Sequence, residues 1–474
     1  MAMTTVVEHL IDGQWHSGPV GYTTTDPYKQ QPYAEVPACD AGIVQAAVGA
    51  AVAATKSVAA TPARERAALL GKMAAAIRAQ ADGIARAMSE ETGKPIRDAL
   101  MEVSRSAQTF ELSAQEAVRI CGEQVPMDSS EIGAGKLGMT LRVPVGVVAA
   151  ITPFNAPVNL CSHKIGPALA AGNPVVLKPA PQASGTVHRY VQALQSAGIP
   201  AGWLNVIYGY EAGAQLVRDP GVRFISFTGS GVVGEAIRQA SGLRRVALEL
   251  GGNGNTIVCA DAAWEGAAQA CARNSMRLAG QSCISVQNVW VHASLANSFI
   301  ERMATEIRRL KTGAPLDPGT DVGPVISRES AERIERTVAE ANRAGAALVL
   351  GAGRDGALVQ PTMLAGTPVS DPAVAREIFG PVVNVLPFES LEDTVACIND
   401  GPFGLQAGIY TESMRTAMTL IRELDMGAVI VNGTSTWRSD QAPYGGVKAS
   451  GIGREGPKYA IREMTDERFV VFNM

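Results

Sequence analysis

The 474-residue chain has no Cys-x-x-Cys pair, no excess of positive charge, no internal repeat and no run of 18 apolar residues. Each absence removes a class of function. The seven cysteines, at 39, 121, 161, 259, 271, 283 and 397, are odd in number and widely spaced. That speaks against a disulfide framework and a zinc site, so no metal is expected and a reducing cytoplasm fits. A formal net charge of −4 offers no basic field for a nucleic-acid partner. Without a long apolar run no membrane span is expected. Met1-Ala2-Met3-Thr4-Thr5 has no basic region followed by an apolar core, so no signal peptide is read there.

What remains is the composition of a globular protein, 46% hydrophobic and 18% charged. Its 49 glycines and 27 prolines are scattered singly, which marks many tight turns rather than a disordered tract. At roughly 150 residues per domain the length suggests two or three domains. Residues 41–121 read as helical: Ala67-Ala68-Leu69-Leu70 with Met73, Ala74 and Ile77 recur at helical spacing. Thr92-Gly93-Lys94-Pro95 punctuates two of these helices. Residues 122–142 are polar, with several glycines, and read as an excursion from the main fold.

From 143 the pattern changes to short apolar runs, at 145–151, 175–177, 204–207, 224–227 and 246–250, with helix-like stretches between them. That alternation is the βαβ rhythm of a parallel sheet, and continuously apolar runs suit strands buried on both faces. A second set follows between 249 and 431, with strands expected at 256–258, 289–291, 348–350, 382–387, 407–410 and 429–431. The fold class is therefore α/β. Residues 468–472 alternate charged and apolar side chains in a final strand, whose partner is either the 122–142 excursion or a neighbouring subunit.

Phe227-Thr228-Gly229-Ser230-Gly231-Val232-Val233-Gly234 follows a predicted strand and opens a predicted helix. Such glycines let backbone N–H groups approach a pyrophosphate at a helix N-terminus. A plain strand-to-helix turn would use the same glycines. An ordinary dinucleotide fingerprint follows the first strand of its unit and has an acid about 20 residues on. Here the loop follows the fourth run, and Leu243-Arg244-Arg245 occupies the acidic place, so this is not an ordinary Rossmann site.

A cysteine in an enzyme is more often a small buried hydrophobe than a nucleophile. Cys283 has unusual company. Gly280-Gln281-Ser282 before it and Ser285 after it suit a partly exposed turn. Upstream, Leu248-Glu249-Leu250-Gly251-Gly252-Asn253 places a carboxylate at the end of an apolar strand, a costly position without a task or a partner. The Gly-Gly that follows permits close backbone approach.

These segments occur in one order with others: Thr152-Pro153-Phe154-Asn155-Ala156-Pro157, Leu177-Lys178-Pro179, Glu377-Ile378-Phe379-Gly380-Pro381, Pro443-Tyr444-Gly445-Gly446-Val447-Lys448 and Ser450-Gly451-Ile452-Gly453-Arg454-Glu455. Over nearly its whole length the chain resembles the aldehyde dehydrogenase superfamily. The resemblance implies a Rossmann-like cofactor domain (1–121 and 143–248), an α/β catalytic domain (249–431) and small oligomerisation strands (122–142 and 455–474). It implies a homodimer or homotetramer, and NAD or NADP as cofactor. A Cys283 thiolate would add to an aldehyde, with its own N–H and the Asn155 amide stabilising the oxyanion. After hydride leaves, Glu249 is the matching base for water that cleaves the thioester. Glu455 matches a proton-relaying glutamate and Lys164 a lysine near the same path, although Lys164 also reads as a solvated helix lysine.

For the cofactor, the resemblance assigns Lys178 to the adenosine ribose, Ser230 to the pyrophosphate and Glu377 to the nicotinamide ribose. Thr152, Pro153, Phe154, Gly213, Phe227, Thr228, Gly229, Gly234, Leu250, Gly251 and Phe379 fall in the same motifs. The family often has Trp at Phe154. At Pro181, NAD-preferring members often carry a glutamate that grips the ribose hydroxyls; proline removes the grip and also its repulsion of a 2′-phosphate, so NADP is permitted.

For the substrate, the resemblance points to a small anionic aldehyde. Arg277 matches an arginine that holds the carboxylate in succinate semialdehyde dehydrogenases. His163 matches phosphonoacetaldehyde dehydrogenases. Arg105, on a predicted helix over 99–120, matches an anion-binding arginine of that group and of the non-phosphorylating glyceraldehyde-3-phosphate dehydrogenases. Arg438 and Ser439 lie where relatives close the substrate funnel. Ser282 stands where phosphate- and phosphonate-handling relatives tend to have arginine, which favours a semialdehyde carboxylate, with phosphonate, sulfonate or lactaldehyde-type substrates second. The alternative for Arg105 and Arg277 is an ion pair with a helix carboxylate such as Glu102, or a contact with a neighbouring subunit. A CoA-acylating relative would usually lack Glu249, a non-catalytic protein would have no use for the intact set of Cys283, Glu249, Asn155 and Glu377, and a cysteine hydrolase would need a Cys-His motif that the five histidines do not supply.

Overall fold

The computed structural model describes residues 5–474; Met1–Thr4 of the N-terminal stretch read for a signal lie outside them. Four helices, Ala41–Ala60, Ala63–Ala79, Ala81–Thr92 and Ile96–Ala117, form the region expected to be helical. Leu70, Met73 and Ile77 turn inward at the anticipated spacing and share a core with the first sheet. Among the described residues Ala41–Ala60 is the one helix long and apolar enough to cross a bilayer, with mean hydropathy 1.5. In the fold it buries a single stripe, Val44, Ala47, Val48 and Ala51, against strand residues such as Ala149 and Val176. One-sided burial of that kind belongs to a helix covering a core.

The first sheet has eight strands, in the order Gly451–Ile452, Arg245–Glu249, Phe224–Thr228, Val148–Ile151, Val175–Lys178, Leu204–Val206, His9–Ile11, Gln14–His16. The five from Val148 to Glu249 are parallel. Their order reverses between Val148–Ile151 and Phe224–Thr228. Loops at the carboxyl ends of the strands diverge at such a reversal, and a ligand crevice forms there. Val148–Ile151 and Val175–Lys178 are buried at every position, as continuous apolar runs require. The hairpin His9–His16 was not anticipated, although Asp12-Gly13, both at positive φ (51° and 77°), is a strong two-residue turn signal.

The second sheet has seven strands, in the order Ala347–Leu350, Thr362–Ala365, Val382–Phe388, Asn288–His292, Asn255–Val258, Gln406–Tyr410, Ala428–Val431. All run parallel except Ala347–Leu350. Thr362–Ala365 had not been expected as a strand. A separate three-stranded sheet pairs Thr465–Asn473 antiparallel with Lys136–Pro144, which pairs in turn with Gln124–Val125. Thr465–Asn473 is its edge strand and leaves Phe469 and Phe472 about half exposed.

After Val431 the chain turns back. Asn432 N–H bonds Ile409 O, and the Gln406 amide donates to the carbonyls of Ser435 and Trp437. Residues 432–455 thus cross from the second sheet to the first and end beside Glu249, where Gly451–Ile452 pairs antiparallel with Leu248–Glu249.

Candidate active site

Cys283 lies in the loop that precedes strand Asn288–His292, and the turn before it is strained. Leu278 and Ala279 have φ of 55° and 52°, and Gly280 has φ of 69°. A Cβ at Gly280 would sit 1.9 Å from Gly380 O, so no side chain fits. Left-handed backbone at residues other than glycine costs about 1–3 kcal/mol each and persists where its surroundings enforce it. The Cys283 thiol is half-buried, 2.8 Å from the Tyr444 hydroxyl, and packs in a small cluster with Ile284, Leu405 and Tyr444. Burial pushes it up to about 12; the Tyr444 hydrogen bond and Arg438 pull it down, while Glu377 and Glu249 oppose them.

Asn155 arrives from the other sheet, four residues past Val148–Ile151, and its Nδ2 donates to Gln281 O at 2.9 Å. That bond holds the amide against the loop that carries Cys283. Ser282, next to the thiol, is half-buried, and its Oγ accepts from Ile284 N–H at 3.4 Å. Glu249 closes the opposite side. It is the last residue of its strand, 2% exposed, and neither carboxylate oxygen has a hydrogen-bond partner. Burial, and then repulsion from Glu455, raise it far above the ordinary carboxylate range. Its ionised form is therefore disfavoured, and once formed is a stronger base than an exposed carboxylate.

Glu455 is its opposite. Lys164 Nζ and Arg438 Nη2 each donate to it at 2.9 Å, and Thr228 Oγ1 lies at 3.3 Å. Although burial opposes ionisation, these cations hold Glu455 well below the usual range. Lys164 is 1% exposed, which corrects its alternative reading as a solvated lysine. The Arg438 guanidinium lies 3.7 Å from the centre of the Tyr444 ring.

A second group sits beside the first. Asp440, 4% exposed, accepts from Arg105 at 3.0 and 2.7 Å, from His163 Nε2 at 2.9 Å and from Asn159 Nδ2 at 3.1 Å. Against the pull of burial, His163 and Arg105 hold Asp440 far below its ordinary value. Burial lowers His163, so its ring is neutral at pH 7. Arg277 pairs with Asp98 at 3.1 Å. Both arginines are therefore ion-paired, though not with Glu102, which binds Lys94 and the N–H groups of Val158 and Asn159. Ser439 bonds Gln441. Neither Asp440 nor Tyr444 had been singled out as a site residue. Asp440 stands two residues after Arg438, and Tyr444 lies inside a motif already noted.

The remaining predicted residues gather at the carboxyl ends of the first sheet. Ser230 caps helix Gly231–Ala240, accepting from Val233 N–H, with Phe227, Thr228 and Gly229 leading into it. Gly234 faces Leu250, whose Cδ2 lies 2.5 Å from where a Cβ would be. Lys178 ends its strand 7% exposed and is lowered to about 8 by burial, with Gly213 against its side chain and Pro181 opening the next turn. Thr152 N–H bonds Lys178 O; Pro153 and Phe154 follow, and the Phe154 ring meets Phe379 edge-on at 5.9 Å. Glu377 accepts from Gly252 N–H at 3.2 Å, and burial raises it to about 7. A Cβ at Gly251 would lie 2.4 Å from Glu377 Oε2 and one at Gly252 2.7 Å from Cys283 O, so the first glycine admits the carboxylate and the second the Cys283 backbone. A capped helix N-terminus, a buried lysine and a buried carboxylate around the topological reversal fit a dinucleotide's pyrophosphate and ribose groups.

Known proteins resemble the chain over nearly its whole length. Residues 15–470 match the aldehyde dehydrogenase family model. A 3-sulfolactaldehyde dehydrogenase of Priestia aryabhattai is 42% identical over 98% of this chain and 97% of that protein. Aldehyde dehydrogenase 21 of Physcomitrella patens, solved with its product succinate, superposes with TM-score 0.96 at 34% identity, covering 100% of this chain and 99% of that one. An NADP-dependent glyceraldehyde-3-phosphate dehydrogenase of Bacillus halodurans, solved with NADP, gives TM-score 0.96 at 33% identity over 99% of each chain. The chain belongs to the aldehyde dehydrogenase family and is an oxidoreductase that acts on an aldehyde with NAD or NADP as acceptor.

Proposed function

We propose that the chain oxidises a short aldehyde carrying an anionic group to the corresponding acid, through a Cys283 thioester that water cleaves. The observation that carries the anionic part is the charge beside the thiol. Three cations, Arg105, Arg438 and Lys164, pair with two carboxylates, Asp440 and Glu455, and Arg438 also acts on the Cys283 sulfur. In a low-dielectric site this group of cations attracts an anion more strongly than it would in water. A carboxylate is the leading choice, supported by the succinate in the Physcomitrella relative; the 42% identical relative favours a sulfonate as the second.

In this reading the Cys283 thiolate adds to the carbonyl carbon, and the Asn155 amide with the Cys283 N–H receives the oxyanion. NAD or NADP, when bound, accepts the hydride. Ser230, Lys178 and Glu377 would hold the cofactor, and Pro181 would leave a 2′-phosphate unopposed by a carboxylate. Glu249, once ionised, takes a proton from water as it attacks the thioester, and Lys164 with Arg438 keeps Glu455 charged nearby. Glu249 also favours water over CoA as acyl acceptor. Residues 1–121 and 143–248 form the cofactor domain and 249–431 the catalytic domain. The exposed apolar edge of Thr465–Asn473 supports assembly into a homodimer or homotetramer through 122–142 and 455–474. Seven free cysteines support a reducing compartment such as the cytoplasm.

The test is a panel of succinate semialdehyde, sulfolactaldehyde, lactaldehyde and propanal, each assayed with NAD and NADP. The expected result is a kcat/KM at least about tenfold higher for an anionic aldehyde, each tenfold being about 1.4 kcal/mol. Propanal oxidised as well as the anions would overturn the reading.

A further inference from the structure

Glu249 and Glu377 are the carboxylates that act on the thiol, and the Tyr444 hydroxyl touches it directly. It is the one side-chain group in hydrogen-bond contact with Cys283 Sγ among the described residues, at 2.8 Å. The ring is 5% exposed. It is fixed from both sides: its backbone N–H and C=O pair with Glu455 O and N–H at 3.1 and 2.6 Å, and Arg438, anchored on Glu455, covers its face. With a neutral thiol either partner can donate. Once the sulfur is ionised it is an acceptor only, and the phenol must donate.

We propose that Tyr444 is a catalytic residue whose hydroxyl donates to the ionised Cys283 sulfur and so favours the thiolate over the thiol. The proposal rests on the reading of Cys283 as nucleophile. The sulfur gives its proton to water, and Tyr444 keeps its own. The groups facing the sulfur are Tyr444, Glu377, Arg438 and Glu249. Those facing the phenol are Cys283, Arg438 and Glu249. Arg438 over the ring face draws electron density from the phenol and strengthens it as a donor. When the thiolate adds to an aldehyde, negative charge moves from sulfur to the former carbonyl oxygen, and the Tyr444 bond weakens. Tyr444 therefore increases the amount of thiolate and slightly lowers its reactivity.

The experiment follows Cys283 in the full-length enzyme without substrate. Thiolate absorbance near the ultraviolet thiolate band, with Cys283→Ser as blank, is read against pH, and iodoacetamide labelling of the Cys283 peptide is read by mass spectrometry. A hydrogen bond to a charged acceptor corresponds to a shift of about one to two pH units. Tyr444→Phe should move both profiles to higher pH by that amount and slow labelling at pH 7 about 10- to 100-fold. A 3-fluorotyrosine at 444, the stronger donor, should move them to lower pH. Overlapping profiles, or a fluorotyrosine shift in the same direction as phenylalanine, would overturn the assignment. Failure of the underlying reading has a separate signature: Cys283→Ser would then still oxidise aldehyde.

Discussion

Replacing Asp440 by asparagine separates the charge network from the chemistry. Asp440 is buried and receives four donors: two from Arg105, one from His163 and one from Asn159. Asparagine keeps the shape and one acceptor oxygen, but turns the other into an N–H group facing donors. A hydrogen bond to a charged group contributes about 1.5–3 kcal/mol, and a stranded buried donor costs about 1–3 kcal/mol. The Arg105 side chain is 31% exposed, so water recovers part of its charge. The loss should therefore be about 3 kcal/mol, below the cost of stranding a fully buried cation. Urea unfolding at pH 7 measures it. The sign with pH follows from the depressed carboxyl: its contribution is complete above the ordinary aspartate value of 3.8 and disappears as the pH falls through the lower folded value. The difference between wild type and Asp440→Asn should be flat from pH 5 to 8 and shrink below about pH 4. A loss under about 1 kcal/mol at pH 7, or a gap that widens toward acid, refutes the reasoning. The same variant removes a negative charge that acts on Arg438, so KM for an anionic aldehyde should fall relative to that for propanal.

Glu249→Gln should retain a burst of reduced cofactor and lose steady-state turnover by about 10²- to 10⁴-fold, seen by stopped-flow fluorescence; unchanged turnover removes Glu249 as base. In the wild type, thioester hydrolysis should rise with pH through a value well above the ordinary carboxylate range, because burial keeps Glu249 protonated, and single-turnover pH profiles read this limb. Gly251→Ala should push Glu377 from the Gly252 N–H and weaken cofactor binding roughly tenfold by calorimetry, since the new methyl would overlap Glu377 Oε2. Lys178, lowered to about 8, should make NADP affinity drop above pH 8, and Lys178→Met should abolish that pH dependence in binding titrations.

Cys283, Glu249 and the Gly251-Gly252 pair were legible because their signals are local: a carboxylate ending an apolar run, glycines beside it, a polar turn around a thiol. The parallel strands were legible for the same reason, since burial on both faces makes each run apolar throughout. Pairings between distant segments were not. Arg105 and Asp440 are 335 positions apart, and nothing at either position names its partner. Lys164 looked as much like a surface lysine as a buried one, because burial is decided by Glu455, 291 residues on. Ala41–Ala60 does not read as an 18-residue apolar run because Gln45, Thr55, Lys56 and Ser57 interrupt it.

The return of 432–455 to the first sheet has a consequence for biosynthesis. Tyr444 follows Cys283 by 161 residues. At about 5–20 residues per second, the nascent thiol waits roughly 8–30 s on the ribosome for its partner. The strained turn at Leu278 and Ala279 likewise lacks its enclosing walls during that interval. Assembly order therefore closes the contact between Cys283 and Tyr444 only after most of the protein has been made.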